Sequence, residues 1–367
     1  MEGIIKRLVE WSRGRKAPPH KVLIYPTSRC NLRCPFCYQR LNPYDHSKDL
    51  SGERWIEITE ELCKMGVDVV QISGGGEPMM VPDTTVRMME IIKENKVTGR
   101  LVNNGTLWRE KDIKRVVEIG WDNVIFSVDG ATAEVNDKSR GVKGAFKKIV
   151  KNIKLFDQYK KELGTGIPIL EFSTVVSKFN YFQLGDIIRL AKKLGVQNIT
   201  FEPVFISNEF AKKIKVGKKE RNYIIKRIPE WKKLSEKLGI TTNLDALFEV
   251  KEIEKTGELK EKIEELPKKE KTIDHPFLRI PCYEPWIWPK IEADGSVGPC
   301  STIFLSDYCK KEVSVRERTF KDVWYGPEFT DFRKMIKSGN LFEACANCVS
   351  THLYWNSRIR EELKKVL

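Results

Sequence analysis

Between residues 20 and 205, short apolar runs alternate with longer amphipathic stretches. Val22–Tyr25, Val67–Ser73, Arg100–Asn103, Asn123–Val128, Ile169–Val176 and Asn198–Pro203 read as strands. Residues 52–65, 82–95, 109–119, 143–162 and 183–194 space their apolar side chains as helices do. Regular βα alternation predicts an α/β fold with parallel strands and helices outside them. Ahead of it, residues 1–16 read as a basic amphipathic helix: Ile4, Ile5, Leu8, Val9 and Trp11 share a face among Lys6, Arg7, Arg13 and Arg15. Docking on the protein body is expected of that face, with a membrane surface as the alternative. After residue 204 the alternation stops. A lysine-rich, helical stretch runs to 276, and from Phe277 the text turns to Cys, Trp and Pro. The expected division is therefore 1–20, 21–205, 206–276 and 277–367.

Composition narrows this picture. The chain has 367 residues with 41% hydrophobic content, ordinary for a folded protein. No apolar run reaches the roughly 18 residues of a membrane-spanning helix, and no secretion signal is visible. Nine clustered cysteines without such a signal point to metal chemistry in a reducing cytoplasm, with a peripheral membrane location as the alternative. Lys+Arg 65 against Asp+Glu 51 gives a net +14. In 206–276 the signs are interspersed, which solvated helices explain. A nucleic-acid partner is not expected, since no RNA-binding module is visible.

The strongest chemical signal is Cys30, Cys34 and Cys37, spaced C-x3-C-x2-C just after the first predicted strand. Thiolates select iron–sulfur centres or zinc. Zinc would need a fourth ligand, and the nearest spare is His46. Three thiolates can instead hold three irons of a [4Fe–4S] cluster and leave the fourth open.

This motif and its surroundings resemble the radical S-adenosylmethionine (SAM) superfamily. The resemblance implies a partial (β/α)6 barrel with the cysteine loop at the C-terminal strand ends. It also implies that the open iron chelates SAM and that the reduced cluster cleaves SAM to a 5'-deoxyadenosyl radical. A reductant such as ferredoxin or flavodoxin would supply the electron. The family's Gly-Gly-Glu-Pro element is matched by Gly75, Gly76, Glu77 and Pro78, which implies a contact with SAM's amino group. Asn104, in the Asn103-Asn104-Gly105 turn, matches the family's Asn-Gly turn near SAM. Ser127 and Arg140 match the pair near SAM's carboxylate, and Tyr38 matches the aromatic residue beside adenine. Read without the family, Asp129 would cap the following helix and Cys63 would be a buried apolar residue.

A second set, Cys282, Cys300, Cys345 and Cys348, lies in the C-terminal stretch. Asp294-Gly295 predicts a hairpin between the first two. A helix is expected over 328–337 beside the others. Four thiolates can close a zinc site or a fully ligated [4Fe–4S] cluster. The pattern resembles the SPASM/twitch extensions of radical SAM enzymes, which implies an auxiliary cluster. Cys309 has no assigned place.

The expected function is a radical SAM oxidoreductase acting on a small molecule or lipid, with the auxiliary cluster carrying electrons. Only about 20 residues precede the first strand, too few for an N-terminal peptide-recognition module. A peptide-modifying maturase, a tRNA-modifying enzyme and a non-enzymatic iron–sulfur or zinc protein are the alternatives. No catalytic acid or base is assigned.

Overall fold

The computed structural model describes residues 1–40, 45–206, 208–245, 247, 275–301, 303, 305–341, 345, 348 and 350–367. Its strands are β1 (Lys21–Ile24), β2 (Val69–Ile72), β3 (Thr98–Asn103), β4 (Asn123–Ser127), β5 (Ile169–Val176), β6 (Asn198–Pro203), β7 (Thr241–Thr242), β8 (Lys290–Ile291) and β9 (Val297–Gly298). They form one sheet in the order β7-β6-β5-β4-β3-β2-β1-β8-β9. Every pairing is parallel except β8 with β9. These are the parallel strands that the alternation predicts, in the partial barrel that the family resemblance implies.

Strand side chains alternate as the pleat requires. Val70, Ile72, Leu101, Val124, Phe126, Leu170 and Phe172 have no exposed surface. They lie under the helices α2 (Gly52–Lys64), α3 (Pro82–Glu94), α4 (Glu110–Glu118), α5 (Ala133–Arg140), α6 (Ala145–Glu162) and α7 (Leu184–Lys193). The intervening positions are more polar and line the concave side. There Arg100 pairs with Glu171 at 3.4 Å, and Thr200 donates to Glu171 at 2.8 Å.

Two features depart from the sequence reading. The region 143–162 is preceded by a separate helix, α5, ending at Gly141 in the left-handed conformation (φ 71°). The alternation does not stop at 204: α8 (Glu209–Ile214) and α9 (Lys218–Leu238) lead to β7, which pairs with β6. Two residues are too short a strand for a periodic signal. Most of the rest of the lysine-rich stretch, 248–274, lies outside the described residues.

The C-terminal stretch holds α10 (Glu284–Ile287), α11 (Leu305–Cys309), α12 (Phe320–Tyr325), α13 (Pro327–Lys337) and α14 (Ser350–Lys364). The hairpin at Asp294-Gly295 forms, but its first strand joins the barrel sheet, with Leu23 and Ile24 registered on Lys290 and Ile291. The open edge of β1 explains this, because unpaired backbone groups there seek a partner. α1 (Glu2–Ser12) buries Leu8 completely and Ile4 nearly so, against α10 and α14. Of that apolar face, Ile4 and Leu8 are covered by the body, while Ile5, Val9 and Trp11 are half-buried. None of the described helices is long and apolar enough to cross one.

Candidate metal and cofactor site

The cysteine loop follows β1 at the C-terminal end of the sheet. Asp49 ties its base: one carboxylate oxygen accepts from the Thr27 hydroxyl (2.7 Å) and the Ser28 amide (3.0 Å), the other from the Ser28 hydroxyl (2.6 Å). His46, the spare zinc ligand in the sequence, lies 2.7 Å from that same hydroxyl.

The glycine run after β2 locks onto the loop. The Gly76 amide donates to Thr27 O at 3.1 Å and the Glu77 amide to Arg29 O at 2.8 Å. A Cβ on Gly76 would sit 2.2 Å from Arg29 O, so only glycine allows the approach. Gly75 faces Tyr38: a Cβ there would lie 3.3 Å from the Tyr38 hydroxyl. Tyr38 is substantially exposed.

Glu77 is buried, and its carboxylate is already engaged. One oxygen accepts from the Met79 amide (3.0 Å) and the other from the Asn104 amide (2.6 Å). Burial pushes its pKa up to about 7 despite those bonds. Glu77 therefore braces the turn after β3, with one accepted bond on each carboxylate oxygen. Asn104 in turn reaches the cysteine loop: its Nδ2 donates to Asn31 Oδ1 at 2.8 Å and lies 4.0 Å from Cys30 Sγ. Asn31 donates to Thr106 at 2.8 Å. The sequence reading missed Asn31 and Thr106, although Asn31 lies within the cysteine motif itself.

Ser127 ends β4 and is half-buried. It is registered with Ser173 on β5, which is registered with Thr200 on β6, so three hydroxyl residues form a row on the concave side. Glu202, two residues beyond Thr200, faces the same side; the residue is exposed, but partial burial of its carboxylate and then Glu171 raise its pKa.

Arg140, the residue matched to SAM's carboxylate, is engaged with the protein itself. Its Nη2 donates to Asp129 Oδ1 at 2.7 Å, while its carbonyl accepts from the Arg33 amide (3.2 Å) and the Cys34 thiol (3.6 Å). Asp129 is fully buried, and it also accepts from the Ser139 hydroxyl (2.6 Å) and the Val175 amide (2.9 Å). It does not cap α5. Thr132 takes that role, because it sits at the helix start and Asp129 does not.

The three thiols form an interacting set. Cys30 is an exposed residue, but partial burial of its thiol pushes its pKa up to about 11 and it feels both Cys34 and Cys37; burial also raises Cys34. The second set behaves alike: burial lifts Cys282 well above its ordinary value, with Glu284, Cys300 and Cys348 adding to it. Cys348 donates its amide to Cys345 O at 3.2 Å. A cysteine loop held by this network, with Asn104 Nδ2 4.0 Å from Cys30 Sγ, suits a centre bound through thiolates. Among the described residues, no three His, Cys, Asp or Glu side chains converge as ligands of a single ion. In a cubane each cysteine binds its own iron. Cys63 is buried in the core, and the Cys309 thiol contacts Lys311 O at 3.5 Å.

Comparison with known proteins gives the class. Residues 24–175 match the model of the radical SAM superfamily, and 282–349 match that of SPASM, an iron–sulfur cluster-binding domain. The chain belongs to the radical SAM superfamily and carries a SPASM domain; its cofactors are [4Fe–4S] clusters and SAM.

Among individual relatives, it is 27% identical over 340 residues to the tungsten-containing aldehyde ferredoxin oxidoreductase cofactor-modifying protein of Pyrococcus furiosus, covering 88% of this chain and 85% of that one. It is also 27% identical to the PqqA peptide cyclase of Gluconobacter oxydans, over 50% of this chain and 49% of the cyclase. The chain thus spans about half of that cyclase. Two solved structures share the fold. Streptococcus suis SuiB bound to S-adenosylmethionine has a TM-score of 0.63 at 16% identity, covering 90% of this chain and 71% of SuiB. AdoMet-bound anSMEcpe has a TM-score of 0.60 at 16% identity, covering 94% and 97%.

Proposed function

We propose that this radical SAM enzyme is a maturase that modifies a peptide. The observation that carries the reading is a SPASM domain behind a radical SAM domain, together with relatives named for peptide work. These are the PqqA peptide cyclases and the sporulation killing factor maturation protein of Bacillus subtilis. This takes up the peptide alternative over the small-molecule or lipid substrate expected from the sequence.

In this reading Cys30, Cys34 and Cys37 hold the cluster that generates the radical from SAM, and Cys282, Cys300, Cys345 and Cys348 hold the auxiliary one. Tyr38, Gly75, Gly76, Asn104 and Ser127 line the SAM side, with Glu77 acting through Asn104. The Ser127, Ser173 and Thr200 row and Glu202 give the concave wall polar groups that could meet peptide amides. Phe205, Ile206 and Phe210 are exposed just beyond β6 and offer apolar purchase there. Bound at the second cysteine set, a cluster would supply a one-electron acceptor, so that a peptide radical giving up that electron and one proton would complete a new bond or an oxidation.

A second reading, modification of a non-peptide cofactor, is favoured by the relative from Pyrococcus furiosus, whose match runs nearly end to end in both chains. One assay separates the two. Reconstituted enzyme, SAM and dithionite are mixed with the low-molecular-weight fraction of a cell extract, and 5'-deoxyadenosine is followed. Stimulation abolished by prior proteinase digestion of the fraction is expected for a peptide substrate. Stimulation that survives digestion would overturn the peptide reading in favour of a cofactor.

A further inference from the structure

Arg140 is more than nine-tenths buried, yet it keeps one donor, Nε, without a partner among the described residues. Its neighbours are few and specific. Asp129 holds Nη2, and the Cys34 thiol is bonded to the Arg140 backbone carbonyl at 3.6 Å, which brings that sulfur beside Arg140. Gly141 presses its backbone on Arg33, where a Cβ would come within 2.2 Å of the carbonyl oxygen. The end of α5 is thereby fastened to the cysteine loop whatever side chain stands at 140. Asp129 is itself fixed by Ser139 and the Val175 amide, so the guanidinium has a rigid backstop. A buried cation with an uncommitted donor beside a metal-ligand sulfur is placed to act on that sulfur.

We propose that Arg140 and Asp129 form a positioning pair for the Cys34 corner of the first cluster, with Arg140 donating to the Cys34 sulfur and setting how readily that site is reduced, rather than gripping SAM's carboxylate. The inference rests on the radical SAM assignment and not on the identity of the substrate. A cationic donor stabilises the more electron-rich, reduced state of a thiolate-bound cluster, and a carboxylate behind it tempers that effect. The two residues should therefore act with opposite sign.

The test needs no substrate. Wild type, Arg140→Met, Arg140→Lys and Asp129→Asn are reconstituted, iron is counted, and the cluster whose EPR signal responds to SAM is titrated against potential. Arg140→Met is expected to move the midpoint to more negative potential, and Asp129→Asn to more positive. Arg140→Lys should stay close to wild type. SAM should still perturb the signal in all of them. Should Arg140→Met not hold iron, Arg140→Lys and Asp129→Asn carry the comparison with the same expectations. Equal midpoints, or shifts of one sign, overturn the proposal. So does an unchanged midpoint in Arg140→Met with the SAM response lost, which would return Arg140 to SAM's carboxylate. A failed search for a peptide substrate leaves this result untouched.

Discussion

At the scale of single residues, the cysteine loop is held by contacts that leave no spare volume. In Gly76→Ala the added methyl meets Arg29 O and must part the two backbone bonds joining the glycine run to the loop. Strain of about 1–3 kcal/mol is expected. Iron analysis should show loss of the first cluster with the second retained; full retention would show that the loop can yield. Lys21 offers a pH test. Burial lowers its pKa to about 8, with Arg100 adding to the effect, and its Nζ lies 4.6 Å from the Trp288 ring centre. The unfolded chain takes up this proton near the ordinary lysine value while the folded protein resists until about pH 8. Stability should therefore rise as pH climbs through that window. Lys21→Met should be more stable than wild type at pH 7 and should lose that rise, as thermal melts across pH would show. That the cysteine loop would follow β1 and the glycine run β2 was legible in the sequence, because periodicity places the strands ahead of them. The engagement of Glu77 with two amides and of Arg140 with Asp129 was not, because motif position does not say which way a side chain turns or what already occupies it.

At the scale of elements, periodicity located every barrel strand from β1 to β6, since each carries several alternating buried positions. It missed β7, which is two residues long, and α5, whose polar sequence Ala133–Arg140 lacks an apolar stripe. It could not foresee that β8 would pair with β1, because strand partners distant in sequence leave no local trace. The N-terminal helix shows the same limit. Its amphipathic pattern is equally suited to a bilayer or a protein surface, and only packing on α10 and α14 decides. Leu8 is fully buried there, so Leu8→Ala should destabilise the fold by about 2–5 kcal/mol. Denaturant titration would measure that. The wild type should fail to float with anionic vesicles; flotation would mean that α1 leaves the body.

At the scale of the whole molecule, one sheet connects the two cysteine sets. The first follows the C-terminal end of β1, and the second flanks the α10 and β8–β9 segment that joins that strand from the C-terminal stretch. Glu284, next to that second set, is held neutral-leaning by burial, its pKa pushed up to about 8, with Lys21 of β1 opposing the shift. Electron transfer between the sets would therefore run through a continuous, packed body rather than across a linker. The most direct measurement is iron and acid-labile sulfide after anaerobic reconstitution, alongside 5'-deoxyadenosine formed from SAM under dithionite. It should be made on the wild type and on the variant with Cys30, Cys34 and Cys37 changed to Ala. About eight irons in the wild type, about four in the variant, and deoxyadenosine from the wild type alone are predicted. About four irons in the wild type and none in the variant, with zinc bound instead at the second set, would contradict the two-cluster account.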